Sequence, residues 1–239
     1  MNIAVIFAGG VGIRMRTNGI PKQFLEINGV PILVHTVRKF QESPSIDKIV
    51  IAMVASHIDY TWQLVDKYHL DKVVKVVAGG ETGQLSIYNG LKAAEEVGES
   101  PEDIVLIHDG VRPIIDDDLI RKNVESVRQY GSAISSVLCK ETIITVRDDD
   151  FVDTVTDRSK TWMARAPQSF YLKDILAAHE ECRSQGIINK IDSCNMMRDC
   201  GREVHIVETS STNIKVTNPE DYYLAEAIIQ MSTGEKERV

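Results

Sequence analysis

The apolar run "IAVI" leads directly into "FAGGVGIRM", residues 7–15, and "PKQF" follows a few residues later. Glycines after a first strand let successive backbone N–H groups wrap an anion. Arg14 adds a planar fork of donors to such a loop, and Pro21 stiffens the chain just ahead of Lys22. Together these residue types suit the binding of phosphate. A dinucleotide fingerprint would need a glycine where Met15 stands, and the lysine-bearing P-loop pattern is absent. What remains is an anion loop built on Ala8, Gly9, Gly10 and Gly12, although read alone its glycines would serve equally for a tight turn.

Two further stretches offer chemistry. "GGETGQLSIYNGL" repeats the glycine-rich pattern around Gly80, Glu81 and Ser86, where a base or ribose could approach the backbone closely. "HDGVRP" places Asp109 and Arg112 after another apolar run. A strand-end aspartate suits a divalent cation and equally suits the capping of a turn. His108 beside it reads as a packing residue. The glycine loops have no acid/base dyad near them.

The formal net charge of -8 argues against broad nucleic-acid binding, so positive charge for polyphosphate must be gathered locally. No apolar run is long enough to span a bilayer, and the start of the chain has no signal-peptide pattern. Cys139, Cys182, Cys194 and Cys200 lack metal-ligand spacing. They read as reduced structural thiols of a cytoplasmic protein.

The elements that must position these residues alternate. "NIAVIFA", "KIVIAMV", "KVVKVVAG" and "DIVLIHDG" read as buried strands, separated by helical patterns, with Pro31 in a first turn and Ser86 as an N-cap. "SAISSVLC" continues the series. The fold expected is α/β: one Rossmann-like, doubly wound, mostly parallel sheet spanning 1–239 as a single domain. The rhythm breaks at about 141–165, where a β-rich stretch with the charged tip "RDDD" reads as a projecting arm. The tail "STGEKERV" reads as frayed. Ligands of such sheets bind beyond the carboxyl ends of the strands, where the glycine loops and Asp109 fall.

The motifs "AGGVGIRM", "PKQFLEINGVPILVHTV", "GGETGQLSIYNGL", "HDGVRP", "TDRSKTWMARAPQSF" and "NIKVTNPEDYYLAE" occur in this order over nearly the whole chain. Together they resemble the CTP-dependent cytidylyltransferases acting on 2-C-methyl-D-erythritol 4-phosphate or ribitol 5-phosphate. The resemblance implies that Ala8, Gly9, Gly10, Gly12, Arg14 and Lys22 bind the triphosphate of CTP, and that Lys215 reaches its α-phosphate. It puts Gly80, Glu81 and Ser86 at the cytosine and ribose. Asp109, Arg112, Thr142 and Asp192 fall to the acceptor, with Asp109 also facing Mg2+. Arg158 matches an arginine that the arm of one subunit offers to the other, which implies a homodimer with shared active sites. No nucleic-acid partner and no membrane insertion are implied.

Three positions depart from the family pattern: Gly83 stands in place of an arginine, and Ala166 and Ile191 each replace a threonine. Each swap removes a polar or charged group, and the two lost hydroxyls fall at positions the family uses for the acceptor. "AGG" and "VRP" are closer to the ribitol-phosphate branch, so a CDP-alditol, with D-ribitol 5-phosphate as acceptor, is the expected product. The isoprenoid substrate 2-C-methyl-D-erythritol 4-phosphate is the alternative. Rival readings are a UTP- or GTP-dependent transferase acting on a hexose phosphate and a non-catalytic nucleotide-binding protein.

Overall fold

The computed structural model describes residues 1–10 and 20–236. Gly12 and Arg14 therefore lie outside the described residues. Strand β1 (Asn2–Ala8) is followed by a one-turn 3-10 helix at Lys22–Phe24 and a small hairpin, β2 (Glu26–Ile27) and β3 (Val30–Pro31). Asn28 and Gly29 close that hairpin with φ of 52° and 74°. Next come α1 (Ile32–Glu42), β4 (Lys48–Met53), α2 (Ile58–Lys67), β5 (Val73–Ala78), α3 (Gly83–Val97), β6 (Ile104–Asp109), α4 (Asp117–Tyr130) and β7 (Ser132–Leu138). The rest of the chain forms β8 (Ile144–Val146), β9 (Val152–Val155), β10 (Trp162–Tyr171), α5 (Leu172–Ser184), α6 (Ser193–Asp199), β11 (Ile206–Glu208) and α7 (Pro219–Lys236).

The described strands build a seven-stranded sheet in the order β11-β7-β10-β6-β1-β4-β5. Only β10 runs antiparallel to its neighbours, β6 and β7. Because side chains alternate along a strand, β1 feeds both faces. Ala4, Ile6 and Ala8 join a core with Leu33, Val37 and Phe40 of α1, while Ile3 and Val5 join a second core with Leu91 of α3 and Ile175 of α5. This is the doubly wound architecture expected. The order reverses beside β1, since the chain builds β4 and β5 on one side and then crosses to β6 on the other. The carboxyl ends of β1 and β6 thus flank the switch point where such sheets bind ligands.

Four local readings change. Ser86 lies inside α3, and Thr82 is its N-cap, accepting from the Leu85 N–H at 3.1 Å. Pro31 sits one position before α1, as its N-cap. The last helix runs on to Lys236, through residues read as a frayed tail. The arm is a two-stranded hairpin of β8 and β9, exposed along both strands. Residues 162–165, assigned to the arm from sequence, instead open β10 in the main sheet. Tertiary pairing of residues 162–164 with β7 overrode the local hairpin pattern there. Among the described residues no helix is long and apolar enough to cross a membrane, and all four cysteines are free thiols.

Candidate active site

Lys22 and Lys215 come from opposite ends of the chain and meet beside the end of β1. The 3-10 turn after Pro21 buries Lys22, whose Nζ donates to the Val216 carbonyl at 3.0 Å. The next residue, Gln23, is buried and donates from Nε2 to the Ala8 carbonyl at 2.9 Å. Gln23 thereby fastens the turn to the tip of β1. Sequence reading quoted it within "PKQF" without giving it a role.

The second glycine loop closes on the first through Ser86. Its Oγ accepts from the Gly80 N–H at 3.1 Å and donates to the Thr82 carbonyl at 2.9 Å. A Cβ on Gly9 would lie 3.0 Å from this oxygen and one on Gly79 2.9 Å from it. A Cβ on Gly80 would stand 2.4 Å from the Leu85 side chain. These glycines are thus required for the two loops to approach. Between the loops lies a cleft of about 350 Å³ lined by Ala8, Gly9, Gly10, Lys22, Gly80, Glu81 and Ser86, together with Phe7, Gly83, Asp109 and Lys215.

Asp109 ends β6 and is the centre of charge. Its Oδ1 pairs with Lys215 Nζ at 2.5 Å and its Oδ2 with Arg112 Nε at 3.2 Å. Burial pushes the carboxyl up, but Lys215 and Arg112 together outweigh burial and hold it at about 2, so it is ionised at any physiological pH. Arg112 also donates from Nη1 to the Asn213 carbonyl at 2.7 Å. Asn213 in turn donates to the Ala166 carbonyl at 2.8 Å. His108 is fully buried, meets the Arg112 carbonyl at 3.0 Å through Nε2, and is pushed down to about 4 chiefly by burial. It is a neutral packing residue, as read from sequence.

A second cavity, of about 460 Å³, opens on the other side of Asp109. Arg112 and Asp192 line it, and so do all three departures, Gly83, Ala166 and Ile191. Asp192 caps α6 through the Asn195 N–H at 2.8 Å and accepts from Gln168 Nε2 at 2.9 Å, so its carboxylate is held in place. The two cavities share Phe7, Gly83, Asp109 and Lys215. One ligand in each would meet at that junction. Thr142 and Arg158 line neither cavity; both are exposed near the base of the hairpin, where Arg158 Nη1 reaches the Lys140 carbonyl at 3.4 Å.

Among the described residues no group of three or more His, Cys, Asp or Glu side chains forms a metal cage. Among the described residues Asp109 is the one carboxylate lining both cavities. An octahedral Mg2+ that keeps waters and phosphate oxygens needs only one or two carboxylates from a protein. Ionised Asp109 fits that requirement.

A family model for 2-C-methyl-D-erythritol 4-phosphate cytidylyltransferase (IspD) matches residues 2–231. The chain belongs to this cytidylyltransferase family. It is 49% identical over 236 residues to the ribitol-5-phosphate cytidylyltransferase of Streptococcus agalactiae serotype V, covering 99% of this chain and 98% of that protein. A 2-C-methyl-D-erythritol 4-phosphate cytidylyltransferase of Clostridium acetobutylicum is 39% identical over 234 residues, covering 98% and 99%. The crystal structure of 4-diphosphocytidyl-2C-methyl-D-erythritol synthase from Anaerococcus prevotii superposes with a TM-score of 0.82 at 27% identity, covering 96% of each chain. Family membership makes the chain an enzyme of the nucleotidyltransferase class, and the mostly parallel sheet is the sheet of this family's solved structures.

Proposed function

We propose that this cytidylyltransferase joins D-ribitol 5-phosphate to the cytidylyl group of CTP, giving CDP-ribitol and pyrophosphate in the cytoplasm. The observation that carries the reading is the meeting of two cavities at Asp109 and Lys215, one lined by the glycine loops and one by the residues expected at the acceptor. The greater identity to a ribitol-phosphate enzyme than to the methylerythritol enzyme supports this choice of acceptor. Ala166 and Ile191, which replace threonines of the family pattern, lie on the acceptor cavity.

An oxygen of the acceptor phosphate attacks the α-phosphorus of CTP. The new P–O bond forms as the bond to the β-phosphate breaks, and pyrophosphate leaves. A phosphate monoester has its second pKa near 6, so the nucleophile is already about doubly charged at pH 7 and needs no general base. Bringing two anions together is the difficulty, and catalysis rests on positioning and electrostatics. Gly9 and Gly10 cradle the triphosphate, with Gly12 and Arg14 assigned to the same loop. Lys22 and Lys215 neutralise it at the α-phosphate. Gly80, Glu81 and Ser86 face the cytidine. Arg112 and Asp192 orient the acceptor. Asp109 would hold a Mg2+ ion, whose charge would offset that of the phosphates.

Thr142 and Arg158 act across a homodimer in this reading. Arg158 of the partner subunit clamps the acceptor, which accounts for an exposed hairpin bearing Ile144, Val146, Phe151 and Val155 outward. The experiment is pyrophosphate release and product mass with ribitol 5-phosphate and each of CTP, UTP and GTP. The expected result is CDP-ribitol from CTP and at least a hundredfold preference for that nucleotide, since hydrogen-bonding groups that read cytosine are left unpaired by another base. Equal rates with UTP would remove the assignment.

A further inference from the structure

Among the cations lining the acceptor cavity, Lys215 and Arg112 pair with Asp109, and Lys190 pairs with Asp199 at 2.5 Å. Arg165 lines the same cavity without such a partner. Its Nε is buried with no hydrogen-bond partner, and among the described residues no carboxylate lies within ion-pairing distance of it. Its side chain is half-buried, and both burial and the neighbouring Arg112 charge work against its own charge. Asp221 favours the charge only from beyond ion-pairing distance, and a partly desolvated guanidinium with no close anion is costly to keep unless one comes to it.

The chain aims Arg165 at the cavity by a local irregularity. The register of β10 on β7 shifts between Ala164 and Gln168, and such irregularities re-aim side chains beside active sites. Ala164 and Ala166 flank it, line the cavity with it, and bring no polar side-chain group. Gly83 and Ile191 bring none either, so among the described residues lining this cavity Arg165 is the cation without an ion-pair partner.

We infer that Arg165 is a substrate-binding residue that takes the phosphate dianion of the acceptor, from the same chain that binds the nucleotide. The inference rests on the proposed cytidylyl transfer. The acceptor phosphate is the attacking group, so it must sit at the Asp109–Lys215 junction, close to Arg112 and therefore to Arg165. A guanidinium fork grips a phosphate through two parallel hydrogen bonds, which an ammonium group cannot reproduce. Arg165 and Arg158 thus differ in kind: Arg165 faces the cavity of its own chain, whereas Arg158 does not.

The test is steady-state kinetics of Arg165→Gln and Arg165→Lys with CTP and two alditol phosphates, ribitol 5-phosphate and xylitol 5-phosphate, alongside thermal melting. Loss of a hydrogen bond to a charged group predicts an acceptor KM raised roughly 10- to 100-fold. The factor should be similar for both acceptors, with the CTP KM within about twofold and partial recovery in the lysine variant. An unchanged acceptor KM would overturn the inference. So would an equal rise in the CTP KM, which would give Arg165 to the triphosphate, or a factor that follows the hydroxyl pattern. A fall in melting temperature that the lysine variant repairs without repairing KM would reduce Arg165 to a structural part. If wild-type enzyme turns over no alditol phosphate with CTP, the cytidylyl-transfer reading is what fails. Calorimetric titration of ribitol 5-phosphate into wild type and Arg165→Gln then decides, and equal affinities would overturn the inference.

Discussion

Lys215 is 41% exposed, and among the described residues its ammonium group pairs with Asp109 and lies over the Phe7 ring, so it can exchange that carboxylate for an incoming phosphate. Removing one preorganised donor to transition-state charge costs about 10²–10³ in rate. Lys215→Ala is therefore expected to lower kcat by that factor while melting close to wild type, as read by pyrophosphate release and scanning calorimetry. The pH profile has a stated cause as well. Asp109, held at about 2 by Lys215 and Arg112 against its burial, does not titrate in the working range. The acceptor phosphate does, with its second pKa near 6. Below that value the monoanion dominates, so kcat/KM falls about tenfold per pH unit, and above about pH 7 the acid limb is absent. A profile flat down to pH 4 would show that the dianion is not the nucleophile. At this scale Lys22, Asp109 and Lys215 were picked out by ordered motifs rather than by residue type alone, and the structure brings the three onto one cleft. It was silent on Gln23, Gln168 and Asn213, whose roles are hydrogen bonds to distant backbone or side-chain groups that no local spacing encodes. Arg165 was hidden in a motif, because its lack of a partner exists only in three dimensions.

The elements hold the site by close approach. Helix α3 carries Gly83 and Ser86 to the cleft and rests on β1 and β4 at Gly90, where a Cβ would come 2.6 Å from Val5 Cγ1 and 3.5 Å from Ala52 Cβ. Alanine favours a helix over glycine by about 1 kcal/mol, yet Val5 is wholly buried and has nowhere to retreat. Overpacking of about 1–3 kcal/mol outweighs propensity. Gly90→Ala should therefore lower stability in urea denaturation and raise the CTP KM by displacing the Ser86 end of the helix; a stabilised variant would contradict this packing. The parallel strands were legible because burial on both faces leaves continuous apolar runs, such as "IAVI" and "IVLI". β10 was misread at its start because Trp162–Arg165 is half exposed and follows a hairpin. Its insertion between β6 and β7 depends on pairing partners far away in sequence. The N-cap moved from Ser86 to Thr82 because both are plausible caps one turn apart, and Ser86 Oγ is instead committed to the Gly80 loop.

For the whole molecule, the proposed sharing of sites between two subunits rests on an exposed hairpin and on Arg158 lining neither cavity of its own chain. Mixing Arg158→Ala with Lys22→Ala tests this directly. In a two-fold dimer with shared sites, each mixed dimer holds one pocket with both defects and one with neither. Random exchange makes half the dimers mixed, so roughly a quarter of all pockets should regain activity. No recovery after demonstrated exchange would return Arg158 to its own chain. A further cavity, about 500 Å³ between α4 and α7, shares no residue with the glycine loops and plays no part in this account. The central claim is the pairing of a cytidine nucleotide with a linear polyol phosphate. It is tested most directly by competition: equal concentrations of ribitol 5-phosphate and 2-C-methyl-D-erythritol 4-phosphate, limiting CTP, and mass analysis of the products. The account predicts CDP-ribitol as the dominant product with one pyrophosphate released per product formed. Predominance of the methylerythritol adduct, or turnover of CTP to neither, would contradict it.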